Sequence, residues 1–239
     1  LALLTSVRDT WLNVWNIKGL SLTNQMVQSI SRTTWISNLT ATEIFPSHIP
    51  LGTQTLINTI QGSLVLESST LAYVGFDTIV TAHDEVRVTS LSFSDVVTDT
   101  TFQIYDSTHA YFEDLTVYNT TAIKSFVYMN PRTGGNLTLN SSYFEGVHAY
   151  QLIQYSSENM FLTVENCTVR DTTATRVFSS GGANVSVSLQ RCIFDNIRPE
   201  ERYQLGACVF DISVNVGNID IKDCSITNSS SKFSVHAFL

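Results

Sequence analysis

A five-residue signature (small, any, apolar, any, then Asn or Asp) constrains this chain more than any other feature. It reads Cys167-Thr168-Val169-Arg170-Asp171, then Cys192-Ile193-Phe194-Asp195-Asn196, then Cys224-Ser225-Ile226-Thr227-Asn228. Anchoring on the apolar slot and extending backwards gives Val14, Ile36, Leu71, Phe93, Val117, Phe144, Val169, Phe194 and Ile226. The successive gaps are 22, 35, 22, 24, 27, 25, 25 and 32 residues. A unit this short cannot bury its apolar face alone and must stack on copies of itself. Between the anchors lie further alternating stretches at 102–105, 126–129, 151–155, 176–178 and 207–211, bounded by turns rich in Ser, Gly, Asn and Asp. The expected architecture is all-β: a right-handed parallel β-helix solenoid of about nine coils, each with two to three strands. Residues 62–230 form its regular coils, residues 1–61 are less regular, and 1–239 is one segment of a longer chain. A four-stranded propeller blade of about 40–45 residues, which two coils can imitate, is the alternative. The only helix candidate is short, at residues 21–31.

Two residues after the anchor stand Asn16, Asn38, Tyr73, Asp95, Asn119, Gly146, Asp171, Asn196 and Asn228. Seven of these nine are Asn or Asp, so the slot reads as a turn ladder. Asn tolerates the left-handed backbone of a sharp bend, and its amide bonds backbone or a stacked neighbour.

Charged residues are 14% of the chain and the net charge is −8, while Ser and Thr make up about a quarter of it. Such a surface is built from hydroxyls and amides and offers no basic cluster for nucleic acid or an anionic membrane. No apolar run is long enough for a membrane span. No cofactor or metal site is expected. Cys167, Cys192 and Cys224 share one slot in three consecutive coils, with Cys208 off register. Stacked side chains point in parallel, which opposes a disulfide dihedral and favours a buried ladder of thiols.

The run Cys167-Thr168-Val169-Arg170-Asp171-Thr172-Thr173-Ala174, and Gly206-Ala207-Cys208-Val209 ahead of Asp223-Cys224-Ser225-Ile226-Thr227-Asn228, resemble repeats of the pectin-lyase-like β-helix superfamily. They also resemble repeat segments of large protist or bacterial surface proteins. The resemblance covers residues 62–230 and implies a β-helix on a cell surface or in an extracellular filament. Many members of that superfamily cleave acidic polysaccharides, so an enzyme is the rival expectation.

The outward column four residues before each anchor reads Thr89, Glu113, Asn140, Glu165, Gln190 and Lys222. Glu113 and Glu165 stand two coils apart in it, about 9.6 Å at the ordinary strand spacing, the upper edge for an inverting carboxylate pair. They are the only catalytic candidates. The adjacent column of Arg87, Tyr111, Thr138, Thr163, Ser188 and Asp220 has no acidic cluster, and the Asn-Thr-Asp, Gly-His-Gly and Arg-x-Lys signatures of polygalacturonase-like enzymes are absent.

Seven Asn-x-Ser/Thr sequons occur. Asn136, Asn140, Asn166 and Asn184 have the parity opposite to core-facing neighbours and are the expected glycan sites. Asn38, Asn119 and Asn228 fall in the ladder slot, where an inward amide would leave them bare. The leading expectation is a non-catalytic, extracellular, N-glycosylated scaffold or adhesion segment. Its expected partners are N-linked glycans, and further subunits or copies in a larger assembly. The alternatives are a polysaccharide lyase or hydrolase, or a carbohydrate-binding β-helix using Tyr111, Tyr118 and Tyr143.

Overall fold

In the computed structural model the chain is an all-β parallel solenoid. The structure describes residues 2–6, 10–13, 17–18, 25–44, 54–180, 184–199, 208–214, 217–229 and 232–237. No helix occurs among them, and every pairing between named strands is parallel. Residues 25–30, within the stretch read as a helix candidate, belong instead to the strand Gln25–Ser37. The anchor Val14, the ladder position Asn16 and the sequence around 206–207 lie outside the described residues.

Three ladders make the walls. The first runs from residues 86–89 through 109–113, Gly135–Asn140, Met160–Glu165 and Ser186–Gln190 to Ile219–Lys222. The second runs from 91–94 through 115–118, Tyr143–Glu145, Thr168–Arg170 and Ile193–Asp195 to Ser225–Thr227. The third stacks Val97–Tyr105, Thr121–Asn130, His148–Tyr155 and Thr173–Ser180, with Cys208–Val214 and Lys232–Ala237 beyond. Five coils, those from residue 63 to 180, have all three walls continuously described, with shorter paired segments on either side. The structure thus shows about five complete coils, fewer than the nine expected from the repeat.

The expected register holds from Leu71 onward: Leu71 pairs Phe93, Phe93 pairs Val117, and the series continues through Phe144, Val169 and Phe194 to Ile226. One coil earlier it fails. Ala41, not Ile36, pairs Leu71, whereas Ile36 pairs Leu66 on the first wall. Asn38 consequently sits at a different corner from Asp95 and Asn119.

Alternation sets the core. Along residues 109–113 the pattern is exposed, buried, half-buried, buried, half-buried, so Ala110 and Phe112 point in while His109, Tyr111 and Glu113 point out. Inside, Phe93, Phe102, Phe112, Phe126 and Phe144 meet edge to face, with ring centroids 5.0–5.8 Å apart. This geometry suits the aromatic quadrupole and fills the axis with rigid volume. The third wall carries a bulge. Ala122 pairs Thr98 and Ser125 pairs Thr100, so Ile123 and Lys124 together oppose Asp99.

Two corners flank the second wall, and both require left-handed backbone. Ser90, Asp114, Ser141, Asn166, Arg191 and Asp223 form the first, with φ from 48° to 54°. Asp95, Asn119, Gly146, Asp171, Asn196 and Asn228 form the second, with φ from 43° to 64°. At most of these bends the corner N–H donates to a carbonyl of the next coil, as Asn119 does to Glu145 at 3.0 Å. The bend thus adds to the stack instead of interrupting it.

Candidate functional site

The first wall's outer surface carries the columns read from the sequence. Thr89 pairs Glu113, Glu113 pairs Asn140, Asn140 pairs Glu165, and Glu165 pairs Gln190, which pairs Lys222. Beside it run Arg87, Tyr111, Thr138, Thr163, Ser188 and Asp220. Glu113 and Glu165 therefore do flank Asn140 on one face. Asn140 donates from Nδ2 to Glu113 Oε1 at 3.3 Å, and Arg191 approaches Glu165 at 3.6 Å. Both carboxylates are held by neighbours of the same surface. Burial, and after it a hydrogen bond to Glu113, pushes the pKa of the Tyr111 hydroxyl up.

Towards the amino-terminal side of this wall a groove of about 410 Å³ opens between Glu85, Arg87, His109 and Tyr111. The Arg87 guanidinium lies 5.5 Å from the Tyr111 ring centre, and His109 Nδ1 is 3.8 Å from Glu85. Glu85 and His109 lie one outward position beyond the two columns followed in the sequence.

The second wall presents a ribbon that the sequence reading also missed apart from its tyrosines. Tyr118 and Tyr143 stand with ring centroids 5.6 Å apart, and Tyr143 donates to Glu145 at 2.6 Å. That hydrogen bond pushes the Tyr143 hydroxyl above its ordinary range. Arg170 faces Asp195 at 3.5 Å. Asp195 also accepts from Thr227 at 2.7 Å and Asn228 at 2.9 Å, and these bonds hold its carboxyl below the usual carboxylate range. Following the residues on either side of the apolar anchor would have revealed this ribbon.

Of the sequon asparagines, Asn38, Asn119, Asn136, Asn166, Asn184 and Asn228 are exposed and Asn140 is half-buried. The inward placement expected for Asn38, Asn119 and Asn228 is thus not what the structure shows. At a left-handed bend the Cα–Cβ bond points away from the core, so the ladder amides donate over the outside to carboxylates of the preceding coil. Asn119 donates to Asp95, Asn196 to Asp171 and Asn228 to Asp195. Asn184 donates to Asn159 at 2.9 Å.

Cys167 and Cys192 are buried, Cys224 half-buried, and all three are free thiols. Each Sγ donates to the carbonyl two residues back, at 3.1 Å to Glu165, 3.2 Å to Gln190 and 3.2 Å to Lys222. Ser69 and Ser142 make the same bond from the equivalent slot, to Glu67 and Asn140, at 2.8 Å. In these five coils the slot holds a small side chain that caps a bend carbonyl, whereas Leu91 and Leu115 fill it with hydrocarbon in the coils between Ser69 and Ser142. Contact with Cys192, together with burial, pushes the Cys167 thiol up. Among the described residues no group of three or more His, Cys, Asp or Glu is arranged to hold a metal ion, and no helix is long and apolar enough to cross a membrane.

The fold and these faces define a parallel β-solenoid with polar, hydrogen-bonded outer columns. Compared with known proteins, the chain matches no family model, no curated protein and no solved structure.

Proposed function

We propose that this chain is a non-catalytic segment of an extracellular or cell-surface scaffold or adhesion protein, carrying N-linked glycans and built as a right-handed β-helix of the pectin-lyase-like kind. The observation that carries the reading is the set of sequon amides. Six of the seven are exposed, and they are spread over corners and outer columns of a regular rod. The Glu113 and Glu165 carboxylates on the first wall are engaged by Asn140 and Arg191, as suits a surface lattice. Further copies or subunits of an assembly are the partners this reading implies.

The test is secretion of the full chain from a eukaryotic host, followed by peptide mapping after enzymatic deglycosylation and by incubation with neutral and acidic polysaccharides. Sugar on several sequons and no new chain ends in the polysaccharides are the expected results. A folded secreted protein bare at every sequon, or release of shortened polysaccharide, overturns the reading. A carbohydrate-binding role is the second reading, favoured by the paired rings of Tyr118 and Tyr143 on the second wall. Retention on an immobilised polysaccharide that is lost in Tyr143→Ala would establish it.

A further inference from the structure

Two sequon asparagines touch each other. Asn166, at the exposed first corner, donates from Nδ2 to Asn140 Oδ1 at 3.2 Å, and Asn140 in turn donates to Glu113 at 3.3 Å. Arg191 Nε donates to Asn166 Oδ1 at 2.7 Å. The result is one directed chain of polar contacts, Arg191 to Asn166 to Asn140 to Glu113, crossing four stacked coils. The register enforces it, because Asn140 pairs Glu165, the residue immediately before Asn166. In the other sequon contacts the partner is Asp95, Asp195 or Asn159, none of which begins a sequon.

We infer that Asn140 and Asn166 form a single glycan site that accepts one sugar chain per folded molecule, carried at Asn166. The inference rests on the glycoprotein reading above. In the modification, Nδ2 loses a hydrogen as a proton and bonds to the anomeric carbon of a lipid-diphosphate-linked oligosaccharide. The bond from that carbon to phosphate oxygen breaks, and the lipid diphosphate leaves with the electron pair. Two sugar rings attached to amides in direct contact would have to occupy the same layer between coils only about 4.8 Å apart. Asn166 is the more open position: it is exposed and stands at a left-handed bend with φ +54°. Asn140 is half-buried in mid-wall, with its Nδ2 aimed at Glu113.

The sequence supplies its own assay. No Lys or Arg lies between Arg132 and Arg170, so one tryptic peptide, residues 133–170, carries Asn136, Asn140 and Asn166 together. Enzymatic deglycosylation of the secreted, folded full chain in heavy-oxygen water marks each formerly occupied Asn, and fragmentation of this peptide reports which marks coexist. Asn136 is the internal control, since it points out from the start of the same strand and touches neither partner. The expected result is marks on Asn136 and Asn166 together at the product of their separate frequencies. Marks on Asn140 and Asn166 together should fall at least about tenfold below that product, because over-filled contacts destabilise the folded chain. In Asn166→Gln, occupancy of Asn140 should rise. Coexistence of the Asn140 and Asn166 marks at the product frequency overturns the inference and leaves the glycoprotein reading intact. So does preferential marking of Asn140 over Asn166. A chain bare at every sequon overturns the underlying reading itself.

Discussion

The two corners beside the second wall turn the chain in the same left-handed way, yet they are furnished differently. At the second corner Asn, Asp and Gly fill every position from Asp95 to Asn228, and their amides bond the coil below. At the first corner Ser, Asp, Asn and even Arg191 serve, and Ser90 bonds Asp114 at 3.0 Å. What the corners share lies one residue later, where the chain turns inward. There the first corner places Leu91, Leu115, Ser142, Cys167 and Cys192, and the second places Val96, Thr120, Val147, Thr172 and Ile197, all buried. Each such side chain either fills the bend with hydrocarbon or caps the carbonyl two residues back, as Thr120 does to Tyr118 and Thr172 to Arg170 at 3.0 Å. The outer residue is a permission for the bend, and the inner one is its requirement.

That contrast predicts that inner substitutions outweigh outer ones. Leu115 is 1% exposed, and Leu115→Ala should cost about 2–5 kcal/mol, since the coils above and below fix the walls of the cavity it leaves. Denaturant titration measures this, and a loss under about 1 kcal/mol would mean the corner collapses freely. Ser142 comes next. Its Oγ accepts from the Leu115 N–H at 3.2 Å and donates to the Asn140 carbonyl at 2.8 Å. Ser142→Ala leaves both groups buried and unmet, at about 1–3 kcal/mol. Ser142→Cys should recover much of that, because Cys167 fills the same slot in the next coil; equal losses for Ala and Cys would refute the capping role.

The same contrast explains what could be read from the residues alone. From Phe93 to Ile226 the register is visible because the outer residues of the second corner are so uniformly Asn, Asp or Gly. One coil before Leu71, Asn38 and Leu39 at the first corner mimic an Asn of the second, so spacing alone steps from Ala41 to Ile36. Local grammar repeats twice per coil, and only pairing between coils tells the two corners apart. The Glu113–Asn140–Glu165 column was legible for the same reason as the register. Arg191, which engages both Glu165 and Asn166, was not, since a left-handed Arg has no turn signature.

Gly146 isolates the outer residue. A Cβ added there would meet nothing closer than the Asn119 backbone nitrogen at 3.5 Å, an ordinary contact, while φ is +64°. Gly146→Ala should therefore cost only the left-handed conformation, about 1–2 kcal/mol, with no change in the spectroscopic signature of the sheet. A larger loss would show that the outer position is also a packing site and would erase the distinction between the two residues of each bend.

The smallest effect belongs to Asp195, which ties the second wall to its own corner. Thr227, Asn228 and Arg170 all favour its ionised form, so its folded pKa lies below that of the unfolded chain. For a depressed carboxylate the linked stability is fully present above the unfolded value, near the ordinary carboxylate pKa of about 3.9, and is lost as pH falls through the folded value. Melting temperature should hence be flat from neutral pH down to about 4 and then fall more steeply for the wild type than for Asp195→Asn. The amide keeps an acceptor for Thr227 and Asn228 but does not titrate, so the difference in slope isolates the charge. Because the pair with Arg170 is at the surface, about 1 M salt should shrink that difference, as the screening length then falls to about 3 Å. Parallel melting curves for the two proteins across the acidic range would show that the wall and its corner are coupled through hydrogen bonds alone.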